Sequence, residues 1–188
     1  LGAEAIGQLS TTILGTIAGT RRRVAVTAAD RRSGTTSIAI SLARWAANEG
    51  ARVLLVDADL AHPDLSSLVG LGPGISWLNA LRDPRAFQNP AEYIIRSQHL
   101  PICVMPLAIS ADKSREGHRL DQLGQLLDPV SFDFDLILLD MGPASQIVAE
   151  LSLGANLMDT ALIVHQDKGY KVNQVQNQLR ELEVEQFV

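Results

Sequence analysis

The chain has 188 residues, of which 46% are hydrophobic and 20% are charged, and its formal net charge is −5. This length and apolar content suit one globular α/β domain over residues 1–188 and exclude a disordered chain. The one cysteine, Cys103, excludes a disulfide framework or a cluster of sulfur ligands for a metal, and we expect it to be a buried thiol.

The start of the chain predicts one amphipathic helix. Residues 3–18 place apolar side chains three and four positions apart, within a predicted N-terminal helical segment at 1–20. No apolar run reaches the roughly 18 residues that span a bilayer, and no charged-then-apolar leader is present. The first residue is Leu1 rather than Met, so we expect the sequence to be part of a longer chain.

Residues 24–59 contain the pattern around which the rest of the predicted fold is arranged. An apolar run is followed by a polar turn, a helical pattern and a second apolar run that ends on Asp57 and Asp59. This order predicts a βαβ unit. Ligands of such sheets bind at the carboxyl ends of the strands, so the two carboxylates are candidate site residues.

The turn between the first strand and the helix is similar to a phosphate-binding loop. In the pattern G-x-x-x-x-G-K-[ST], backbone N–H groups and the helix N-terminus hold phosphates while the lysine neutralises charge. Thr35 replaces the lysine, whereas Thr36 keeps the hydroxyl that would hold Mg²⁺. The sequence therefore predicts a phosphate cradle without its main charge. Its residues are Ser33, Gly34, Thr35, Thr36 and Ser37.

Positive charge is concentrated around this loop, because five arginines lie between positions 21 and 32. Arg31 and Arg32 lie within the loop and are candidate contacts for a phosphate or an acidic partner. For the three arginines at 21–23, two interpretations stay open: contact with an anion, or a solvated entrance to the first strand.

The rest of the chain alternates apolar strands with amphipathic helices, which predicts an α/β fold with a mostly parallel central sheet and helices on both faces. Strands are predicted at 23–27, 53–57, 103–106, 136–140 and 160–164, the third within an apolar run at 100–107. Helices are predicted near 65–69, 75–81 and 91–97, and in two later segments around Leu123 and Val175. A further strand is expected to begin near Phe187.

Two residues near the predicted site have competing interpretations. His62 stands in a turn after Asp59 and is predicted to be a surface residue rather than a catalytic base, because no motif spacing supports the second role. Asp140 ends an apolar run that begins at Phe134. It is either a metal-binding acid or the N-cap of a helix that begins near Ala144.

The order of these motifs resembles the cytoplasmic domain of bacterial tyrosine kinases that accompany polysaccharide co-polymerases. The motifs are the loop, the run LLVDADL, the spaced apolar residues that follow Gly74, and the run DFDLILLDMGP. These kinases belong to the deviant Walker A group, together with division-site and chromosome-partition ATPases. The resemblance covers nearly the whole chain and implies a P-loop NTPase-like three-layer sandwich.

The resemblance also implies roles for individual residues. Asp140 would be the Walker B acid that holds Mg²⁺ through water, with Thr36 and Asp57 as the other metal-binding residues. Asp57 and Asp59 would be catalytic acids, here vestigial, and ATP or ADP would bind at the loop. Because positive partners are missing, no nucleotide is expected to bind tightly.

The chain departs from the family pattern at positions that carry charge. Ala61 stands where an arginine usually follows the second acid. A Glu-x-x-Arg-x-x-Arg pattern used in ring assembly begins here at Glu4, but Gly7 and Ser10 replace its arginines. The two tyrosines are not clustered at the carboxyl end, where these kinases carry their phosphorylation targets.

These losses predict a catalytically degenerate kinase relative that serves as a regulatory or interaction module in exopolysaccharide synthesis or export. The implied location is the cytoplasm, at or tethered to the inner membrane. The implied partners are a membrane-embedded co-polymerase or export component and other copies of the chain, and no nucleic acid is expected. Two alternatives stay open: an active ATPase or tyrosine kinase in which Arg31 or Arg32 replaces the lysine, and a partition or positioning ATPase relative.

Overall fold

The computed structural model describes residues 7–8, 11–12, 23–31, 33–71, 75–108, 119–145, 147, 156–165, 170–180 and 186–187. Seven strands in these ranges form one sheet. They are β1 (Arg23–Ala28), β2 (Val53–Asp57), β3 (Ile95–Arg96), β4 (Cys103–Met105), β5 (Leu136–Pro143), β6 (Thr160–Val164) and β7 (Gln186–Phe187).

The sheet is mostly parallel, as predicted. Its strand order is β3-β4-β2-β5-β1-β6-β7, and every neighbouring pair is parallel except β3 with β4. β5 lies in the interior, between β2 and β1. All its residues except the last are buried, which agrees with the continuous apolar run that predicted a strand covered on both faces.

Helices cover both faces of the sheet. They include α1 (Thr35–Asn48), α2 (Leu65–Leu68), α3 (Trp77–Ala80), α4 (Arg119–Leu127) and α5 (Tyr170–Arg180). Successive strand residues face opposite sides, so each face has its own apolar core. On one face Val26 packs in a cluster with Leu42 of α1. On the other, Leu139 packs in a cluster with Leu123 of α4 and Leu179 of α5.

Between β2 and β5 one predicted element is wrong and another, the strand predicted at 103–106, is confirmed but is shorter than the apolar run that contains it. The helix predicted over 91–97 is replaced by a 3₁₀ turn, Pro90–Tyr93, followed by β3. Proline starts such a turn readily because it has no N–H to leave unsatisfied, and the β-branched Ile94 and Ile95 favour extended backbone. The apolar run at 100–107 is a strand only over β4, and Cys103 is half-buried rather than fully buried.

Arg23 is not the solvated residue that one interpretation predicted. Its side chain is 2% exposed, and its guanidinium donates to the Asn156 carbonyl at 2.8 Å, to Asp128 Oδ1 at 2.7 Å and to Ser131 Oγ at 2.7 Å. Its backbone N–H donates to Asp159 Oδ2 at 2.8 Å. This arginine therefore ties the start of β1 to the segments before β5 and β6 and does not serve the loop at the other end of the strand.

The predicted N-terminal helix falls largely outside the described residues, as do Glu4 and Ser10. Gly7, Gln8, Thr11 and Thr12 are described and are helical. A Cβ at Gly7 would lie 3.3 Å from Nε1 of Trp45, so this helix packs closely on α1 at that point. Among the described residues, no helix is long and apolar enough to cross a membrane.

Candidate functional site

The loop between β1 and α1 has the backbone of a phosphate cradle. Gly34 has a φ of 85°, in the left-handed region that favours glycine, and α1 begins directly after it. The Ile38 N–H donates to the Gly34 carbonyl at 3.0 Å, and no side chain caps the helix at Gly34. The first N–H groups of an α-helix have no acceptor within the helix. Those of Thr35 and Thr36 are therefore available to an anion.

Asp57 and Asp140 lie side by side at the carboxyl ends of β2 and β5. The two residues are direct partners in the parallel register, and their side chains are 0% and 2% exposed. The backbone is held on both strands: the Ala58 N–H donates to the Asp140 carbonyl at 2.9 Å, and Nε1 of Trp77 donates to the Asp57 carbonyl at 2.7 Å. Asp140 lies within β5, which continues to Pro143, so the alternative that it caps a following helix is wrong.

The two buried carboxyls lack the partners that buried charges normally have. Among the described residues, the carboxyl oxygens of Asp57 and Oδ1 of Asp140 accept no hydrogen bond of good geometry, although the backbone N–H groups of Asp59 and Leu65 act to lower the pKa of Asp57. Burial raises the pKa of Asp57 to about 8, with Asp140 adding to the shift. Burial also raises the pKa of Asp140 to about 7, although the Thr36 hydroxyl acts in the opposite direction. Protons therefore compete with a cation for these two carboxyls near neutral pH.

Asp59 has a different role from its two neighbours. It is half-buried, and its Oδ1 accepts the N–H groups of Ala61 at 3.0 Å and His62 at 3.1 Å. This is the local side-chain-to-backbone pattern by which aspartate stabilises turns. Its charge still acts on the site, because it helps to raise the pKa of both Asp57 and Asp140. A catalytic role for Asp59 stays a prediction.

Arg31 is the loop arginine that the structure describes, since Arg32 lies outside the described residues. Nη1 of Arg31 lies 3.3 Å from Nε2 of His62, and both side chains are exposed. The prediction that His62 is a surface residue is correct, but sequence reasoning missed this contact. The sequence contains only a weak signal for this contact. Asp59, His62 and Pro63 form a turn pattern, and such a turn at the end of a strand can direct the histidine toward the end of a neighbouring strand.

The residues present fit Mg²⁺ and a phosphate in donor chemistry. Mg²⁺ prefers oxygen ligands, and the unpartnered oxygens of Asp57 and Asp140 together with the Thr36 hydroxyl supply them. Among the described residues, no group of three or more His, Cys, Asp or Glu side chains could hold a metal. Oxygens from a nucleotide or water would therefore have to complete the site. Thr35 supplies no positive charge for the phosphates.

Comparisons with known proteins agree with this geometry. No protein-family model and no curated protein matches the chain. The kinase domain of the Escherichia coli tyrosine kinase ETK is 21% identical with a TM-score of 0.81, over 98% of this chain and 72% of that one. The chimerical protein CapA2B2 is 15% identical with a TM-score of 0.71, over 97% and 80%.

A third structure carries a nucleotide. The septum site-determining protein MinD from Pyrococcus horikoshii, complexed with Mg-ADP, is 17% identical with a TM-score of 0.67, over 88% of this chain and 67% of that one. The resemblance read from the sequence is thus confirmed at the level of the fold: this chain has the P-loop NTPase-like α/β fold of bacterial tyrosine kinase domains and of MinD. At such identities, function still has to be argued from the site.

Proposed function

We propose that this chain is a catalytically degenerate relative of the bacterial tyrosine kinase domains and acts as a regulatory or interaction module in exopolysaccharide synthesis or export. In this proposal it works on the cytoplasmic side of the inner membrane. Its partner is a membrane-embedded co-polymerase or export component, and it needs no nucleotide turnover to bind that partner.

The observation that supports this proposal is the imbalance of charge at the site. Asp57 and Asp140 are buried side by side, while position 35 carries a threonine in place of lysine. Among the described residues, no salt bridge involves either acid. Because their pKa values are raised to about 8 and about 7, a metal ion would have to displace protons to bind at neutral pH.

The missing lysine bears directly on phosphoryl transfer, which depends mostly on positioning and charge neutralisation. One charge-assisted hydrogen bond contributes about 1.5–3 kcal/mol. Its loss corresponds to a decrease in affinity of roughly 10- to 150-fold, and to more where charge develops in the transition state. We therefore expect weak or absent binding of Mg·ATP and no tyrosine phosphorylation.

Calorimetric titration with ATP and ADP, with and without Mg²⁺, tests the catalytic part of the proposal, together with a radiometric assay for phosphotyrosine. The single substitution Thr35→Lys should recover little binding, because the resemblance also implies that Arg32 replaces a small glycine of the kinase loop. Arg32→Gly combined with Thr35→Lys should recover measurable binding. Turnover by the wild-type protein would refute the degenerate assignment.

The partner is tested separately. The genes next to the one encoding this chain should include glycosyltransferases and a polysaccharide export channel. A two-hybrid assay against the co-polymerase encoded there should be positive for the wild-type protein and for Asp57→Asn, since binding does not require catalysis. A chromosome-partition or flagellar neighbourhood would instead favour a positioning ATPase, which has the same fold.

One observation favours a second candidate, an active ATPase or tyrosine kinase rewired around a loop arginine. Arg31 lies three residues before Gly34 in the loop, and its Nη1 is 3.3 Å from Nε2 of His62, in the segment after β2. Wild-type protein that binds Mg·ATP at low micromolar affinity, and loses this affinity in Arg31→Ala or Arg32→Ala, would decide in favour of this candidate.

A further inference from the structure

We propose that Arg31 and His62 form a basic pair that binds a phosphate group at the N-terminus of α1 and replaces part of the charge that Thr35 lacks. The ligand class is a phosphate-bearing small molecule, either a nucleoside diphosphate or inorganic phosphate. This inference rests on the phosphate cradle retained in the proposed function, and it adds a histidine from the segment after β2 to that site.

The pair offers hydrogen-bond donors without a competing acid. A guanidinium has five N–H donors, and one of those of Arg31 points to Nε2 of His62 at 3.3 Å. Among the described residues, no carboxylate forms a salt bridge with Arg31. When Nε2 of His62 accepts from Arg31, the imidazole proton lies on Nδ1, which is a second donor. Two adjacent basic groups with free donors suit an anion.

His62 is held in place by Asp59, which acts here as a positioning residue. Oδ1 of Asp59 accepts the backbone N–H of His62 at 3.1 Å, and the carbonyl of His62 accepts the N–H of Asp64 at 2.9 Å. The turn is therefore fixed from both sides of the histidine. Asp59 therefore orients the backbone of His62. Its Oδ1 accepts the backbone N–H groups of Ala61 and His62 and is not available to a ligand.

An independent observation indicates that a ligand belongs here. Oδ1 of Asp140 is unpartnered on a side chain that is 2% exposed, and the carboxyl interacts with the Thr36 hydroxyl in the first turn of α1. Thr36 thus joins an unsatisfied buried carboxyl to the N–H groups of the cradle. A phosphate with an associated cation or proton would satisfy both; Arg31 would neutralise part of its remaining charge, and His62 would donate a hydrogen bond to it.

The experiment uses ADP and inorganic phosphate as probes, without Mg²⁺. Calorimetry should give an ADP affinity that falls about 10-fold in Arg31→Ala and in His62→Ala, as expected for the loss of one charge-assisted contact. Arg44→Ala, an exposed arginine farther along α1, is the matched control and should bind as the wild type does. Tighter binding of ADP than of phosphate would identify the nucleotide as the source of the phosphate group.

Two further measurements separate binding from folding. Asp59→Asn keeps the Oδ1 acceptor that holds His62 and removes a negative charge, so it should bind ADP at least as tightly as the wild type, whereas Asp59→Ala also loses the acceptor and should bind ADP more weakly than Asp59→Asn. In proton NMR spectra the imidazole resonances of His62 should shift when phosphate is added, because the anion would contact the ring. His99, which lies against Gly70, should not respond.

The outcomes are distinct. If wild-type protein binds neither ADP nor phosphate and the His62 resonances do not shift, the cradle itself is absent and this proposal fails with it. If the wild type binds both probes and Arg31→Ala and His62→Ala bind equally well, the cradle stands and the basic pair is refuted. Neither result depends on turnover of Mg·ATP, which tests the degenerate assignment separately.

Discussion

Buried ionisable side chains are paired at one end of the central strands and unpaired at the other end. At the amino end of β1, the buried guanidinium of Arg23 has three acceptors within 2.8 Å, including the carboxylate of Asp128. At the carboxyl ends of β2 and β5, Asp57 and Asp140 are equally buried, yet three of their four carboxyl oxygens have no partner among the described residues. The same sheet thus contains one paired guanidinium, of which Nε alone lacks a partner among the described residues, and two neighbouring carboxyls that are not paired.

This difference distinguishes a structural role from a binding role. A buried charge is tolerated when it is paired and hydrogen-bonded, as Arg23 is, and it then fixes the geometry around it. An unpartnered buried carboxyl lowers stability, so a site that holds two of them in register is suited to a ligand that supplies the missing partners. Substitutions at the two ends should therefore have opposite effects on stability.

The largest effect is expected at the satisfied end. Arg23→Ala removes three hydrogen bonds and leaves their acceptors unmet, so the free energy of unfolding should fall by about 3 kcal/mol, the lower end for breaking a buried pair because Asp128 is half-exposed. Urea denaturation measures this change. Arg52→Ala is the matched control, because the Arg52–Asp135 pair is exposed and should contribute little. A loss at Arg52 equal to that at Arg23 would contradict the comparison.

At the unsatisfied end, neutralising an acid should stabilise the protein in a pH-dependent way. The pKa of Asp57 is raised from 3.8 to about 8 in the folded state, so the folded protein binds more protons than the unfolded chain between these values. The stability contributed by protonated Asp57 is therefore present at low pH and lost as pH rises from about 4 to about 8. Asp57→Asn removes this dependence, and its free energy of unfolding should exceed that of the wild type at pH 8, where the wild type has lost this contribution.

Melting temperatures measured between pH 5 and pH 9 test this prediction. The wild type should lose stability with rising pH more steeply than Asp57→Asn. Asp83→Asn is the control: it keeps the acceptor for the Arg85 N–H, lies away from the site and should follow the wild-type pH profile. An Asp57→Asn variant that is less stable than the wild type at pH 8 would show that Asp57 already has a partner in the folded protein.

Alanine substitutions at two glycines distinguish a loss of phosphate binding from a general loss of stability. Gly34 and Gly50 have φ values of 85° and 94°, and no atom lies within 4 Å of a Cβ built on either. Alanine at each position should therefore lower the free energy of unfolding by about 1 kcal/mol through backbone strain alone. Only Gly34→Ala should also weaken binding of phosphate and ADP. Equal binding by the two variants would remove Gly34 from the site.

The sequence predicted the parts of the fold that depend on local pattern. The apolar run that ends at Asp140 could be placed in the sheet interior because a strand buried on both faces has no alternation. Asp57 and Asp140 could be placed together because each ends an apolar run that was predicted to be a strand of a parallel sheet. The short strand β3 could not be predicted, since its two residues carry too little pattern and follow a proline turn.

Contacts between residues far apart in the chain could not be predicted from the sequence either. The acceptors of Arg23 lie 105 to 133 residues away along the chain, so nothing local distinguishes this buried arginine from a solvated one. The contact between Arg31 and His62 joins two loops whose approach depends on the register of the sheet. For this reason the sequence predicted that His62 is exposed but not that it contacts Arg31.

The smallest expected effect concerns the N-terminal helix. Gly7 stands where the resemblance predicts a ring-forming arginine, and a Cβ there would lie 3.3 Å from Nε1 of Trp45. Gly7→Ala requires the indole to shift by a few tenths of an ångström, so the free energy of unfolding should change by less than about 1 kcal/mol in urea. Light scattering should show no closed ring for the wild type or the variant. An octamer that a Glu4 substitution disrupts would show instead that the ring contact survives without its arginines, and that the close packing at Trp45 does not exclude it.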